Sequence, residues 1–214
     1  ESLPKTELCA YLDKDVLTVS DENGSHAIMS RDEIRLPGIH NVQNYMAAIL
    51  ALWGEVSVDS VRTVAREFGG VEHRLELVRE DGVRYFNSSI DTSPTRTAAA
   101  LRSFSERPIV ICGGYDKHIP FEPLAEVLIE RARAVVLTGA TAQKIGDAIM
   151  NNPNFDFKKL PLYFEKEFHE AVKTASKIAH KGDVVILSPA CASFDAFENF
   201  AARGRFFKSL VMEL

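Results

Sequence analysis

Three stretches of the chain place hydroxyls, a lysine and small residues directly after apolar, β-branched runs. The most informative follows Val184-Val185-Ile186-Leu187 and reads Ser188-Pro189-Ala190-Cys191-Ala192-Ser193-Phe194-Asp195. Gly182-Asp183 supplies a turn before this run, and Pro189 cannot continue a strand ladder. Ser193 is expected to be the N-cap of a helix carrying Phe197, Phe200 and Ala201. A turn of Ala, Cys and Ser lets a ligand approach the backbone closely. The first N–H groups of a helix starting around Phe194 would offer donors and partial positive charge to an anion.

The second stretch, Asn87-Ser88-Ser89-Ile90-Asp91-Thr92-Ser93-Pro94, follows the run 83–86. The third, Gly113-Gly114-Tyr115-Asp116-Lys117-His118, follows 109–112. Together they suit a small carboxylate or phosphate, with Lys117 as the point charge and Thr92 and Ser193 as oriented donors. Singly, each has a plainer explanation: a solvated loop lysine, two helix caps, and Cys191 as small buried filler. Only the convergence of three loops favours a ligand site.

Those runs belong to a wider rhythm. Residues 7–13, 16–20 and 26–30 read as short strands, the last two joined across Asn23-Gly24. Asn41 is expected to cap a helix with apolar face Val42, Tyr45, Met46, Ile49, Leu50 and Trp53, stopped by Gly54. A second helix, capped by Ser57 or Asp59, runs to Gly69-Gly70. From about Val71, strands alternate with amphipathic helices: strands near 75–79, 83–87, 109–112, 135–138, 162–164 and 184–187, with helices between and after them. This predicts an α/β fold, a doubly wound, mainly parallel sheet over 71–214, preceded by a distinct part, 1–70, that reads as the tail of a larger domain. In such sheets ligands sit outside the carboxyl ends of the strands, where all three stretches fall.

Composition narrows the function classes. With 214 residues, 46% hydrophobic and 26% charged, the chain can bury a real core. No apolar run approaches a membrane span, and a net charge of −5 argues against a general nucleic-acid binder. Cys9, Cys112 and Cys191 are too scattered for a disulfide framework or a zinc site, which points to a reducing cytoplasm and gives no metal ligands. The chain begins at Glu1 rather than Met, so a fragment or processed product is expected.

In order, the sequence also carries His40-Asn41-x-x-Asn44 before Ala47-Ala48, Glu72-His73-Arg74, Asn87 through Pro94, Gly113-Gly114-x-Asp116-Lys117, and the Ser188 to Asp195 turn with Asn199-Phe200. With these motifs it resembles the C-terminal half of a Mur ligase, an ATP-dependent amide ligase of bacterial peptidoglycan synthesis. The Ser-Pro-Ala-Cys-Ala-Ser turn favours the D-glutamate-adding member. The resemblance covers essentially the whole chain.

The resemblance implies a reaction and its residues. ATP, with magnesium, phosphorylates the carboxylate of UDP-N-acetylmuramoyl-L-alanine, and the D-glutamate amine attacks the acyl phosphate. Contacts to D-glutamate fall on Thr92, Lys117, Ser193 and the backbone near Phe194, with Phe200 lining the pocket and Lys117 the residue nearest the chemistry. Asn41 and Asn44 match residues facing the adenine, and Arg74 one reaching toward the nucleotide. The family usually has an acidic residue where Ser88 stands, holding the ribose hydroxyls; Ser88 would give a single hydrogen bond there. Asp91, on an extended loop, is expected to point the other way.

No Gly-x-x-x-x-Gly-Lys-Ser/Thr loop occurs in the chain. The family's phosphate loop, metal-organising residues and UDP-binding domain would precede Glu1, leaving 1–70 as the end of the central ATP-binding domain and 71–214 as the amino-acid-binding domain. On this reading the fragment alone is inactive. The alternatives are a sibling Mur ligase, a folylpolyglutamate synthase, or a stand-alone Rossmann-like binding module.

Overall fold

A computed structural model describes residues 8–36 and 38–214; Glu7 of the expected first strand and Pro37 lie outside the described residues. The chain divides into two compact units, one ending at Gly70 and one running from Val71 to Leu214.

The first unit is a three-stranded antiparallel meander, β1 (Cys9–Asp13), β2 (Val16–Asp21) and β3 (Gly24–Ser30), with helices α1 (Ile39–Ala51) and α2 (Val58–Glu67). The β2–β3 pair closes at Asp21 and Gly24, so the two-residue loop is Glu22-Asn23, one position before the expected Asn23-Gly24, and Gly24, at φ +122°, opens β3. Leu17, Val19, Ile28 and Met29 meet Val42 and Ile49 in its core, with Tyr45, Met46, Leu50 and Trp53 packed beside them. The expected face of α1 is thus the buried one. Its start differs from expectation: Gly38 is the N-cap, and Asn41 lies inside the first turn, its N–H bonded to Gly38 O at 3.0 Å. The φ of +102° at Gly38 turns the chain into the helix ahead of Asn41. Ser57 caps α2, accepting from the Ser60 N–H at 3.1 Å.

The second unit is an α/β layer structure. Its strands are β4 (Glu76–Glu80), β5 (Arg84–Asn87), β6 (Ile109–Cys112), β7 (Ala134–Thr138), β8 (Leu162–Glu165) and β9 (Val184–Leu187), in the sheet order β4-β5-β9-β6-β7-β8. Only β4 is antiparallel to its neighbour. The helices are α3 (Pro94–Arg102), α4 (Glu122–Arg131), α5 (Ala142–Met150), α6 (Phe168–Ile178) and α7 (Phe200–Glu213).

Strand alternation sorts the core into two faces. Val110, Cys112, Val135, Leu137 and Ile186 pack with Leu101, Leu124, Leu128, Ile145 and Ile149 of α3, α4 and α5. Ile109, Ile111, Val136, Val185 and Leu187 pack with Val172 and Ala175 of α6 and with Phe207 and Val211 of α7. A sheet covered on both faces needs apolar residues on both, hence the continuous runs in the sequence. The mainly parallel α/β sheet read from the sequence is the observed fold.

One element departs from expectation with consequences for the site. No helix begins at Ser193. Its carbonyl accepts from Ala196 and Phe197, closing a single turn, and Asn199 is extended at φ −159°, ψ 172°. Asn199 then caps α7, accepting from the Ala202 N–H at 2.8 Å. Asn outcompetes Ser here because the run before it cannot continue: the extended Asn199 backbone breaks any helix begun at Ser193.

Candidate functional site

The sheet order places β9 between β5 and β6, so the loops leaving their carboxyl ends are neighbours. These are the three stretches singled out in the sequence. The loop after β6 and the turn after β9 are stitched together by backbone: Gly113 N–H to Pro189 O at 2.8 Å and Tyr115 N–H to Ala192 O at 2.9 Å. Only glycine permits this approach. At Gly113, with φ +120°, a Cβ would lie 1.8 Å from Thr138 O; at Gly114, with φ +147°, it would lie 2.3 Å from Ala192 O. Ala190 takes a positive φ of 59° within the turn, a conformation disfavoured by its Cβ.

The loop after β5 joins through side chains. Ser188 Oγ donates to Asp91 Oδ2 at 2.8 Å and lies 2.9 Å from Thr97 Oγ1 on α3. Lys117, exposed, donates from Nζ to Thr92 O at 3.0 Å. Thr92 and Lys117 are therefore in contact, and the Tyr115–Ala192 bridge brings the Lys117 loop against the turn that ends in Ser193. Ser193 is 2% exposed, and neither its hydroxyl nor that of Thr92 has a hydrogen-bond partner among the described residues. Phe194 is 66% exposed, edge-on to Tyr115 with ring centroids 6.1 Å apart. Phe200 sits edge-on to the His73 ring. The N–H groups around Phe194 belong to the single turn that closes on Ser193 O and not to the start of a helix, because α7 starts at Phe200.

Two nearby residues turn out otherwise than the sequence suggests. Ser88 is fully buried, and its Oγ accepts the Leu75 N–H at 3.2 Å, so it does not face an external ribose. Asp91 does not point away from Ser88. Its N–H returns to Ser88 O at 2.9 Å, making a turn of what was expected to be extended chain, and the carboxylate is held inside by Ser88 and Ser188. Burial outweighs those hydrogen bonds and raises the Asp91 pKa above the usual carboxylate value.

Asn41 and Asn44 lie three residues apart on α1, Asn41 half-buried and Asn44 exposed, so they share one helix face. Arg74 is exposed in the second unit, in the segment entering β4, and bears electrostatically on Asp91. Glu72, His73 and Glu76 bring potential metal-ligand atoms within 4.8 Å of one another. Lys208 Nζ, however, donates to both carboxylates, which raises its own pKa. This cluster is an ion-pair network.

The residue missed in the sequence is Arg203. From α7 it donates through Nε to Ser89 Oγ at 3.0 Å, through one terminal nitrogen to Ala192 O at 3.1 Å, and through the other to Ser89 O at 2.9 Å and Cys191 O at 3.1 Å. The signal was present: Arg203 sits on the buried stripe Arg203, Gly204, Phe207, Val211, where a charge is out of place. Beside it, a cavity of about 310 Å³ opens at the carboxyl edge, lined in part by Gly113, Gly139, Lys166, His169, Asp195 and Arg203. Among the described residues no helix is long and apolar enough to cross a membrane.

The Mur ligase glutamate ligase domain matches residues 73–191, more than half of the chain. UDP-N-acetylmuramoylalanine--D-glutamate ligase of Clostridium novyi (strain NT) is 48% identical over 206 residues, spanning 96% of this chain and 44% of that protein. The enzyme of the same name from Acetivibrio thermocellus is 46% identical over 205 residues, spanning 94% of this chain and 44% of that protein. The chain thus spans less than half the length of these curated relatives. Among solved structures, the fold is similar to Mycobacterium tuberculosis folylpolyglutamate synthase complexed with ADP and AMPPCP, at TM-score 0.65 and 16% identity over 95% of this chain and 48% of that one. It is also similar to the D-alanyl-D-alanyl-adding ligase of Acinetobacter baumannii, at TM-score 0.60 and 17% identity over 96% of this chain and 43% of that one. The mainly parallel sheet, the interlocked loops at its carboxyl edge and the matched glutamate ligase domain agree: this chain belongs to the Mur ligase family.

Proposed function

We propose that this chain is the acceptor-side part of a cytoplasmic, ATP-dependent ligase that joins D-glutamate to UDP-N-acetylmuramoyl-L-alanine in peptidoglycan synthesis. The observation that carries the reading is the meeting of the Thr92, Lys117 and Ser193 loops at adjacent strand ends, with Lys117 Nζ 3.0 Å from Thr92 O. A lysine on one rim and two hydroxyls that are unpartnered among the described residues suit an anionic amino acid better than a neutral one. Lys117 supplies the charge, Thr92 and Ser193 the oriented donors, the backbone at Phe194 a further donor, and Phe200 an apolar wall. Residues 71–214 are then the amino-acid-binding domain, and residues 1–70 the end of the central ATP-binding domain.

On α1 of the first unit, Asn41 and Asn44 are polar residues that suit contacts to a nucleotide base; in the second unit the exposed Arg74 suits contacts to phosphates, and the buried Ser88 does not suit a ribose contact. When bound, ATP with magnesium would supply the phosphoryl group that turns the L-alanine carboxylate into an electrophile. The task of this chain is to hold the D-glutamate amine in position for attack, which is entropic preorganisation. Lacking a phosphate-loop motif, the chain alone turns over no ATP.

The test is calorimetric titration of the chain with D- and L-glutamate. D-glutamate binds preferentially, and Lys117→Ala weakens it by about 1.5–3 kcal/mol, roughly 10- to 150-fold, for a charge-assisted contact. Equal binding of the two enantiomers, or an unchanged affinity in Lys117→Ala, would sink the assignment. A preference for L-glutamate would favour a different acceptor within the same superfamily.

A further inference from the structure

We propose that Arg203 is the positioning residue of the acceptor site: it clamps the Thr92 loop to the Ser193 turn, and it places beneath them a buried positive charge, without a salt-bridge partner among the described residues, that selects an anionic amino acid. This rests on the ligase reading above and deepens it.

The clamp follows from the geometry. Ser89 belongs to the loop that carries Thr92, and Cys191 and Ala192 belong to the turn that carries Ser193. Arg203 bonds to all three from the one planar guanidinium. A fork of fixed geometry spanning two loops sets their separation more sharply than flexible side chains could. Ser89 Oγ passes the constraint on, donating to Phe200 O at 2.7 Å, so the first turn of α7 is tied to the same point.

The charge follows from the partners. Arg203 is 2% exposed, yet its four acceptors are a hydroxyl and three backbone carbonyls, all neutral. No carboxylate forms a salt bridge with it among the described residues; Asp195 and Asp91 act only at longer range. Burial lowers its pKa to about 10, which still leaves it charged at neutral pH. An ion out of water without a counterion is costly, and structures seldom keep one without a use. One of the terminal nitrogens makes a single bond, leaving an N–H to spare. The guanidinium also borders the 310 Å³ cavity, which Lys166, Glu167 and Asp195 line as well and which is separate from Thr92, Lys117 and Ser193, so the charge acts on the acceptor site from beneath its two loops. A dicarboxylate held by Thr92, Lys117 and Ser193 is favoured by that nearby positive charge; a neutral amino acid is not.

The test uses the 214-residue chain, amide hydrogen exchange and titration with D-glutamate and its neutral analogue D-glutamine. The Tyr115 and Phe197 amides report on the turn, because their acceptors are Ala192 O and Ser193 O. In Arg203→Met both exchange about tenfold faster or more, while Val110 and Val136 in the strands stay protected. The preference for D-glutamate over D-glutamine collapses in Arg203→Met and is retained in Arg203→Lys, which keeps the charge without the fork. Ser89→Ala, which removes the Nε acceptor and the donor to Phe200 O but keeps the other three bonds of the guanidinium, gives a smaller acceleration at the same two amides and covers the case in which Arg203→Met does not fold. Unchanged exchange at Tyr115 and Phe197 in these variants overturns the clamp. Equal preference in Arg203→Met and wild type overturns the role of the charge. If the wild-type chain binds neither amino acid, the ligase reading and the selectivity built on it fail, while the exchange data still decide the clamp.

Discussion

Gly204 sits on the buried stripe of α7, one residue beyond Arg203, and Gly204→Ala tests how tightly that helix is seated. In isolation the change favours the helix by about 0.8–1.0 kcal/mol, since alanine is the better helix former. Packing opposes it. A Cβ at position 204 would lie 2.3 Å from His73 Nδ1, 2.8 Å from Cε1 and 2.9 Å from Cγ, so the flat of the imidazole is in the way. His73 is 3% exposed, held at φ +67°, and hydrogen-bonded through Nδ1 to Asn87 Nδ2 at 2.9 Å. To restore ordinary contact the ring or the helix must move by roughly 1 Å, which forfeits the Asn87 bond and overpacks the interface. Overpacking costs about 1–3 kcal/mol and the lost hydrogen bond about 0.5–1.5, so against the helix gain the balance is a net loss of about 0.5–4 kcal/mol. Urea unfolding of the second unit's transition, with an unchanged m-value, is the assay. Because α7 also carries Arg203, the shift should reach the Tyr115 amide as faster exchange. A Gly204→Ala chain as stable as wild type would refute the claim that His73 and α7 are rigidly apposed.

Asp91→Asn should raise stability at neutral pH relative to wild type, since the buried carboxylate carries a desolvation cost and asparagine still accepts from Ser188. With the native pKa raised above the ordinary 3.8, the folded state binds the proton more tightly, so this group's contribution is present below 3.8 and lost as pH rises through the native value. The difference between variant and wild type should therefore grow across mildly acidic pH in parallel denaturation curves, and a constant difference would contradict it. Lys117→Ala, at an exposed position with one hydrogen bond, should change stability by no more than about 0.5 kcal/mol even as it weakens D-glutamate binding, so a large loss of Tm would mark Lys117 as structural. Of the three cysteines, Cys112 and Cys191 are buried, and burial pushes the Cys191 thiol up to about 11 and the Cys112 thiol higher than usual. A thiol reagent should titrate only Cys9 rapidly in the native chain and all three in denaturant; fast reaction of a second thiol would show that the turn opens.

The chain itself determined its elements and their chemistry. Apolar runs of β-branched residues became β6, β7 and β9 because a strand buried on both faces has no polar side to show, and 3.6-residue periodicity became α1 and α6. Ser57 capped where local rules placed it, and the hairpin turned within one residue of Asn23-Gly24, since caps and two-residue turns are settled within a few residues. The candidate residues Thr92 and Lys117 were legible for the same reason: each follows a strand, and strand ends are where α/β folds meet ligands.

What the tertiary structure alone decided lies at long range. Nothing local states that β9, the last strand, inserts between β5 and β6, yet that insertion is what makes the three loops neighbours. Arg203 reaches Ser89 across 114 positions of sequence, and its role exists only because α7 packs under both loops. The burial of Ser88 and the inward turn of Asp91 depend on Leu75 and Ser188 arriving as partners from other segments. Periodicity and capping are interactions between near neighbours and can be read off the chain. Strand order, the seating of a buried charge and the direction of a loop carboxylate are settled by which distant groups satisfy each other once the core has closed.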